Sequence, residues 1–302
     1  MTDLGTDGTL GTMGTAMASD LAEQAAAAAA SAAARAGVEI VPIVDADGAH
    51  HVARLLSEIW ARHPDQPIVA AEIIRTLAHV NNYGSMAVSG TDVVGAALGF
   101  LGTDDRGTYL HSYIAGVKEG LRGSNVGFAL KQHQRAWTLD HGLTRVTWTF
   151  DPLVRRNAYF NLVKLGATAV GFQRDFYGTM RDAVNAGDLS DRILIEWNLD
   201  TPRAIEASLL AARPVALAAF DERHTAVRLS IGADGEPTVG HRRAAVELVQ
   251  IPDDIVALRE ADAELARRWR LALRETLGAA LEEGSHADGI TRDGWYVVRH
   301  PD

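Results

Sequence analysis

A strand-like segment, a loop with two glycines and a helical pattern follow one another near the middle of this chain, and that order can hold an anion. The segment Thr108–Val117 is apolar and extended in character, and Val117 to Phe128 reads V-K-E-G-L-R-G-S-N-V-G-F. Val126, Ala129, Leu130, His133, Ala136, Trp137 and Leu139 then recur at helical spacing. The amides of such a loop and of the first helical turn have no internal partners and sit at the positive end of the helix dipole. Gly123 and Gly127 leave the backbone open to close approach. The alternative is an ordinary strand–helix connection, because a pair of glycines is a weak signal by itself.

The detail of the loop carries more. V-x-x-x-x-R-G-x-x-V-G followed by a helix resembles the acyl-coenzyme A loop of the GNAT acetyltransferase superfamily, whose pattern is Arg or Gln, two residues, Gly, one residue, Gly or Ala. Here it reads Arg122, Asn125, Gly127. Asn125 stands where the family has a glycine, and asparagine tolerates positive φ better than most residues. Arg145-Val-Thr-Trp-Thr-Phe-Asp-Pro152, then Asn157 to Ala167 with Lys164-Leu165-Gly166, is similar to the strand and helix that follow the loop in that family. The resemblance spans roughly Val38 to Asp200. It implies an α/β (α+β) fold, with a mixed, mostly antiparallel central sheet flanked by helices and an additional C-terminal α/β extension.

The resemblance also implies roles. Backbone amides of Arg122, Gly123, Ser124, Asn125, Val126, Gly127 and Phe128 would take the pyrophosphate of an acyl-coenzyme A such as acetyl-CoA. Ala115 and Val117 lie where a strand pairs with the pantetheine amides. Asn157 is two residues beyond Arg155, which stands where many members have a pantetheine-contacting asparagine. Acyl transfer to an amine requires that the amine lose a proton and that charge on the carbonyl oxygen be stabilised. His111 is six residues before Val117, on one face with it if no bulge intervenes. Some members carry a glutamate base there, and histidine titrates in the right range; the alternative is a core histidine. Asp151 is a second candidate base, or the cap of the following helix. The family's tyrosine acid falls at Leu162, and Tyr159, three residues earlier, substitutes only in part. Arg155 and Arg156 begin a helix, where positive charge opposes the dipole. They either meet a carboxylate on the substrate or acyl group, or are solvated. Asp191-Arg192 reads as a local ion pair. His50-His51 with Asp45 and Asp47 matches no strong metal pattern and is read as a loop, so no metal is expected.

The elements that would position these groups can be traced along the chain. Residues 1–36 are low complexity, nearly all alanine from Ala25 to Ala34, and are expected to be helical yet undocked, a mobile tail. A strand at Val38–Val44, helices at Ala49–Arg62 and Val69–His79, and a hairpin around Gly90 lead to the Thr108 strand. Thr168–Gly171 is apolar and short, Phe172–Tyr177 mixed, Asn185–Asp191 reads as a loop and Arg192–Leu199 as a strand. Beyond Asp200 come a short helix at Arg203–Ala212, a hairpin at Gly232–Pro237, a strand at Ala245–Ile251, one long helix at Ile255–Leu281 and a last strand at Trp295–Val298. The domains expected are 1–36, 37–200 and 201–302.

Composition sets outer limits. The 302 residues are 47% hydrophobic and 23% charged, as in an ordinary globular protein. A net charge of −10 argues against nucleic-acid binding. The absence of cysteine excludes disulfides and a thiol nucleophile. No run of about 18 strongly apolar residues is present, so no membrane span is expected, nor is a basic cluster ahead of an apolar run, so a cytoplasmic location is expected. The reading is an N-acyltransferase moving an acyl group from acyl-coenzyme A to a small amine, for example an amino acid, by direct transfer; a homodimer is compatible with it. The competing readings are a non-catalytic acyl-coenzyme A sensor or scaffold and a protein N-acetyltransferase.

Overall fold

The computed structural model describes residues 8–60, 67–121, 123–178, 189–210, 214–221 and 223–301. Arg122, the far ends of the helices expected to reach Arg62 and Ala212, and most of the loop expected at Asn185–Asp191 lie outside these. The chain divides into two compact units, Met1–Val146 and Thr147–Asp302. That division falls within the expected 37–200 domain.

The first unit holds α1 (Gly8–Ala36), β1 (Glu39–Pro42), α2 (Ala46–Ile59), α3 (Ala71–His79), β2 (Gly84–Ser89), β3 (Asp92–Asp104), β4 (Gly107–Val117) and α4 (Val126–Asp140). The strands form an antiparallel meander in chain order. A side chain added at Gly116 would meet Ile59 and Trp60, whereas one at Gly95 would meet Val126 and Leu130. Since Gly95 pairs with Val117, α2 lies on one face of the meander and α4 on the other. Ile43, Val52, Leu55, Leu56, Ile74 and Leu98 form the core beneath α2 and α3.

The alanine-rich segment is docked, not mobile. Ala25, Ala28, Ala29 and Ala32 are buried, and α1 packs along α4. The helix stops at Gly37, whose φ of +65° lets Gly37 N donate to Ala34 O and Val38 N to Ala33 O. Judging the segment by large apolar side chains missed this, because methyl groups allow two helices to approach closely. Removing residues 1–36 should therefore destabilise the protein. At about 0.8 kcal/mol per buried methyl, the loss is about 3 kcal/mol, or roughly 10 °C of Tm in a domain of this size. A truncated chain that melts where the full chain does would refute the docking.

The meander carries one irregularity that bears on function. Leu98 pairs with Ile114 but Gly99 pairs with Ser112, so Tyr113 is an extra residue on β4. Side-chain parity changes across it. His111 shares a face with Ile114 and Gly116, the α2 side; Ser112 and Val117 face α4. The expectation that His111 and Val117 share a face is thus corrected.

The second unit holds β5 (Arg145–Phe150, begun in the first unit), α5 (Arg155–Tyr159, continued as a π turn to Lys164), β6 (Thr168–Gln173), β7 (Arg192–Asn198), α6 (Pro202–Ser208), β8 (Thr225–Ile231), β9 (Pro237–Val239), β10 (Val246–Gln250), α7 (Ile255–Ala261), α8 (Ala263–Leu273, continued as a π turn to Gly278), α9 (Ala279–Glu282), β11 (His286–Ile290) and β12 (Trp295–Arg299). Strand order is β5-β7-β6-β11-β12-β10-β8-β9, with β8 and β10 parallel and β6–β7, β6–β11, β11–β12, β10–β12 and β8–β9 antiparallel. Each unit is thus a mixed α/β layer built on a mostly antiparallel sheet. The single long helix expected at Ile255–Leu281 is broken at Asp262, which caps α8 by accepting from Leu265 N at 2.9 Å. Among the described residues no helix is long and apolar enough to cross a membrane.

Candidate functional site

β4 stops pairing at Lys118, whose N–H donates to Val94 O at 2.9 Å. Two tight turns follow: Leu121 N donates to Lys118 O, and Ser124 N and Oγ both donate to Leu121 O. Gly120, Gly123 and Asn125 have φ of +85°, +90° and +68°, so Asn125 adopts the left-handed conformation that its glycine-like position requires. The first helical bond of α4 is donated by Ala129 to Asn125 O. The amides of Val126, Gly127 and Phe128 therefore precede the helical ladder and lie at the positive end of a 15-residue dipole. A side chain at Gly123 would meet nothing within 4 Å, and one at Gly127 only the Val117 methyl at 3.6 Å. Gly123 and Asn125 are exposed while Val126 and Phe128 anchor the helix in the core. Ala115 is exposed and Val117 half-buried, on the α4 side of β4.

His111 is half-buried and its ring lies 5.3 Å from that of Phe100. Burial, then the charge of Lys131, hold its pKa below the ordinary value. Lys131 is the residue that sequence reasoning missed. It lies on α4, is 5% exposed, and donates to Ser112 Oγ at 2.8 Å and Gln134 Oε1 at 3.0 Å. Burial brings its pKa down to about 7. Because the folded value lies below the ordinary 10.5, the folded protein binds fewer protons over that range, so this group makes stability rise with pH between them. An amine with so low a pKa, bonded to the residue next to His111, puts a second titratable base beside this stretch of β4. Its signal in the sequence was indirect. Lys131, Gln132, Gln134 and Arg135 are all buried, Lys131 against Ser112 of β4, on a helix that packs against both the meander and α1.

The remaining candidates lie in the second unit, and two of them are corrected. Asp151 is no base. Its carboxylate takes Arg270 through both oxygens at 2.7 and 2.8 Å, Arg259 at 2.7 Å and Leu153 N at 3.0 Å. Burial alone would push its pKa up, but the two guanidiniums hold it far below the carboxylate range. Nor does it cap α5, whose N-cap is Val154 with no side-chain bond. Arg155 is not waiting for a substrate carboxylate: its guanidinium is ion-paired with Asp253. Arg156 and Asn157 are exposed and Tyr159 is half-buried, all on the short α5. Leu162 is fully buried. Asp191 pairs with Arg274, not with Arg192, whose guanidinium donates to the Asp191 carbonyl. His50 and His51 lie within α2, each with Nδ1 on the carbonyl four residues earlier. Among the described residues no group of three or more His, Cys, Asp or Glu is placed to hold a metal ion.

No protein-family model and no curated protein matches this chain. Among solved structures it is similar to a GNAT-family acetyltransferase from Streptococcus pneumoniae, at 15% identity over 53% of this chain and 98% of that one, with a TM-score of 0.41. It is also similar to the IAA acetyltransferase of Bacillus cereus, at 16% identity over 54% and 99%, TM-score 0.40. A third similar structure is the diaminobutyrate acetyltransferase of Paenibacillus lautus in complex with its substrate and coenzyme A, at 15% identity over 55% and 98%, TM-score 0.41.

Proposed function

We propose that this protein transfers an acyl group from acyl-coenzyme A to the amine of a small molecule. The observation that carries the reading is the loop from Gly123 to Phe128, where left-handed Gly123 and Asn125 and the open amides of the α4 first turn form a cradle for a diphosphate. The amine attacks the thioester carbon and gives its proton, directly or through a water, to His111, whose side chain the bulge at Tyr113 turns to the α2 face of β4. The carbon–sulfur bond then breaks, and coenzyme A leaves as a thiolate that takes up a proton. A thiol of pKa about 8.5 leaves without a strong acid, so a buried leucine in the tyrosine position does not block the step. The ion pair of Arg155 with Asp253 leaves the exposed Arg156 alone to support an amino-acid acceptor, and the amine is therefore left as a class.

Gly127→Asp tests the cradle. The added side chain has room, and an acidic residue in the first turn favours the helix, so the fold should persist. Its charge opposes the diphosphate, and calorimetric affinity for coenzyme A should fall about a hundredfold, ~2.7 kcal/mol. Unchanged affinity in the folded variant would remove the site. A second reading, a binding protein without turnover, is favoured by Leu162 standing in the acid position. Thiol release from acetyl- or succinyl-coenzyme A across a panel of amines decides between the two readings.

A further inference from the structure

The first unit contains a cavity of about 360 Å³ to which no residue of β4 or of the Val117–Phe128 loop contributes. It opens between the end of β1, the C-terminal end of α3, the start of β2 and the second half of α4. Its walls include Arg75, His79, Tyr83, His133, Trp137 and His141. Small-ligand sites run from ~300 to 1,000 Å³, so this one has room for a single ring rather than a nucleotide.

The polar atoms have assignable roles. The Tyr83 hydroxyl lies 3.3 Å from Leu130 O, which can only accept, and 3.1 Å from His133 Nδ1, and we assign its proton to the carbonyl. The phenol oxygen then accepts from His133 Nδ1–H at 3.1 Å, which leaves a lone pair on His133 Nε2. Burial holds His133 below its ordinary pKa, which favours the neutral ring. In the same way His141 Nδ1–H donates to Trp137 O at 2.8 Å, which leaves its Nε2 as an acceptor. The His141 ring stacks on the indole of Trp137, with centroids 3.8 Å apart and planes 23° from parallel, and the indole meets Tyr83 edge-on at 5.5 Å. Arg75 is half-buried and has no carboxylate partner among the described residues. The exposed Asp140 lies beside the His141 ring, with Oδ2 3.9 Å from Nδ1.

The cavity therefore offers a guanidinium with no carboxylate partner among the described residues, an aromatic wall and two imidazole acceptors. We propose that it binds a single-ring aromatic carboxylate bearing a hydroxyl or amino donor. The carboxylate meets Arg75, the ring lies against the outer face of His141, whose inner face is stacked on Trp137, and the ring substituent donates to an imidazole Nε2. Guanidinium–carboxylate pairing is the strong, charge-assisted form of hydrogen bond. This site is independent of the acyl-transfer reading.

The test is a titration of the full chain, labelled at histidine and tryptophan, with 4-hydroxybenzoate, with 4-hydroxybenzamide as the uncharged control and cyclohexanecarboxylate as the ringless one. Saturable shifts of the His133, His141 and Trp137 resonances are expected, with a dissociation constant of about 1 mM or tighter. Each control should bind about tenfold or more weakly, and Arg75→Met should reduce binding of the acid to the level of the amide. Gly127→Asp should leave all of this unchanged. Absence of a saturable shift overturns the proposal, as does an amide that binds as well as the acid. The comparison of acid with amide needs no variant, so a failure of Arg75→Met to fold does not shield the proposal.

Discussion

His111→Ala should lower turnover about 10²–10⁴-fold, the range for loss of a positioned general base, which is ~3–5 kcal/mol of barrier. Coenzyme affinity should barely move, because the cradle is built from backbone beyond Val117. The pH profile carries the sharper information. His111 titrates below its ordinary value because it is partly buried and feels Lys131, and a base works only when unprotonated. Activity should therefore be full above the ordinary 6.5 and fall as pH drops through the depressed value, and this acidic limb should vanish in the variant. Lys131, titrating near 7, supplies a competing explanation with a different signature. If the limb lies near 7, survives His111→Ala and disappears in Lys131→Met, the lysine is the base. If neither substitution changes turnover or the limb, neither group takes the proton. His111→Gln keeps the size and polarity of the site and serves if the alanine variant fails to fold.

The strand–loop–helix order of this site was legible because its signals are local. Gly123 and Asn125 declare positive φ by residue type, and the apolar spacing from Val126 declares the helix. The Gly90 hairpin was legible for the same reason. The bulge at Tyr113 was not, because it is defined by what β3 places opposite β4 and no residue of β4 announces it. The docking of α1 was hidden by an amphipathic face made only of methyls. β11 was missed because Ala287-Asp288-Gly289 has neither alternation nor strand formers; its neighbours β6 and β12 make it a strand. The break at Asp262 was locally readable, as an aspartate three residues ahead of the leucine whose amide it caps.

Asp151 shows the opposite limit, since its partners lie 108 and 119 residues away and only the folded unit reveals them. Asp151→Ala should cost about 3–5 kcal/mol, because it leaves the guanidiniums of Arg259 and Arg270 buried without their counter-charge. Both arginines are almost wholly buried, so water cannot replace the carboxylate. Asp151→Asn should cost less, since the amide oxygen can still accept one bond. The pH dependence has a definite sign. The folded pKa of Asp151 is depressed, so its contribution is complete above the unfolded value of about 3.9 and is lost as pH falls through the folded value. Wild type should therefore lose stability below about pH 4 that Asp151→Ala has already lost. The triple variant Asp151→Leu, Arg259→Met, Arg270→Met should recover part of the stability, because apolar replacement of paired buried charges is close to neutral, while Arg192, which also feels Asp151, remains. Denaturant midpoints for these variants decide the matter. A loss below ~1 kcal/mol in Asp151→Ala would mean that the two arginines find other partners and that the cluster does not hold this unit together.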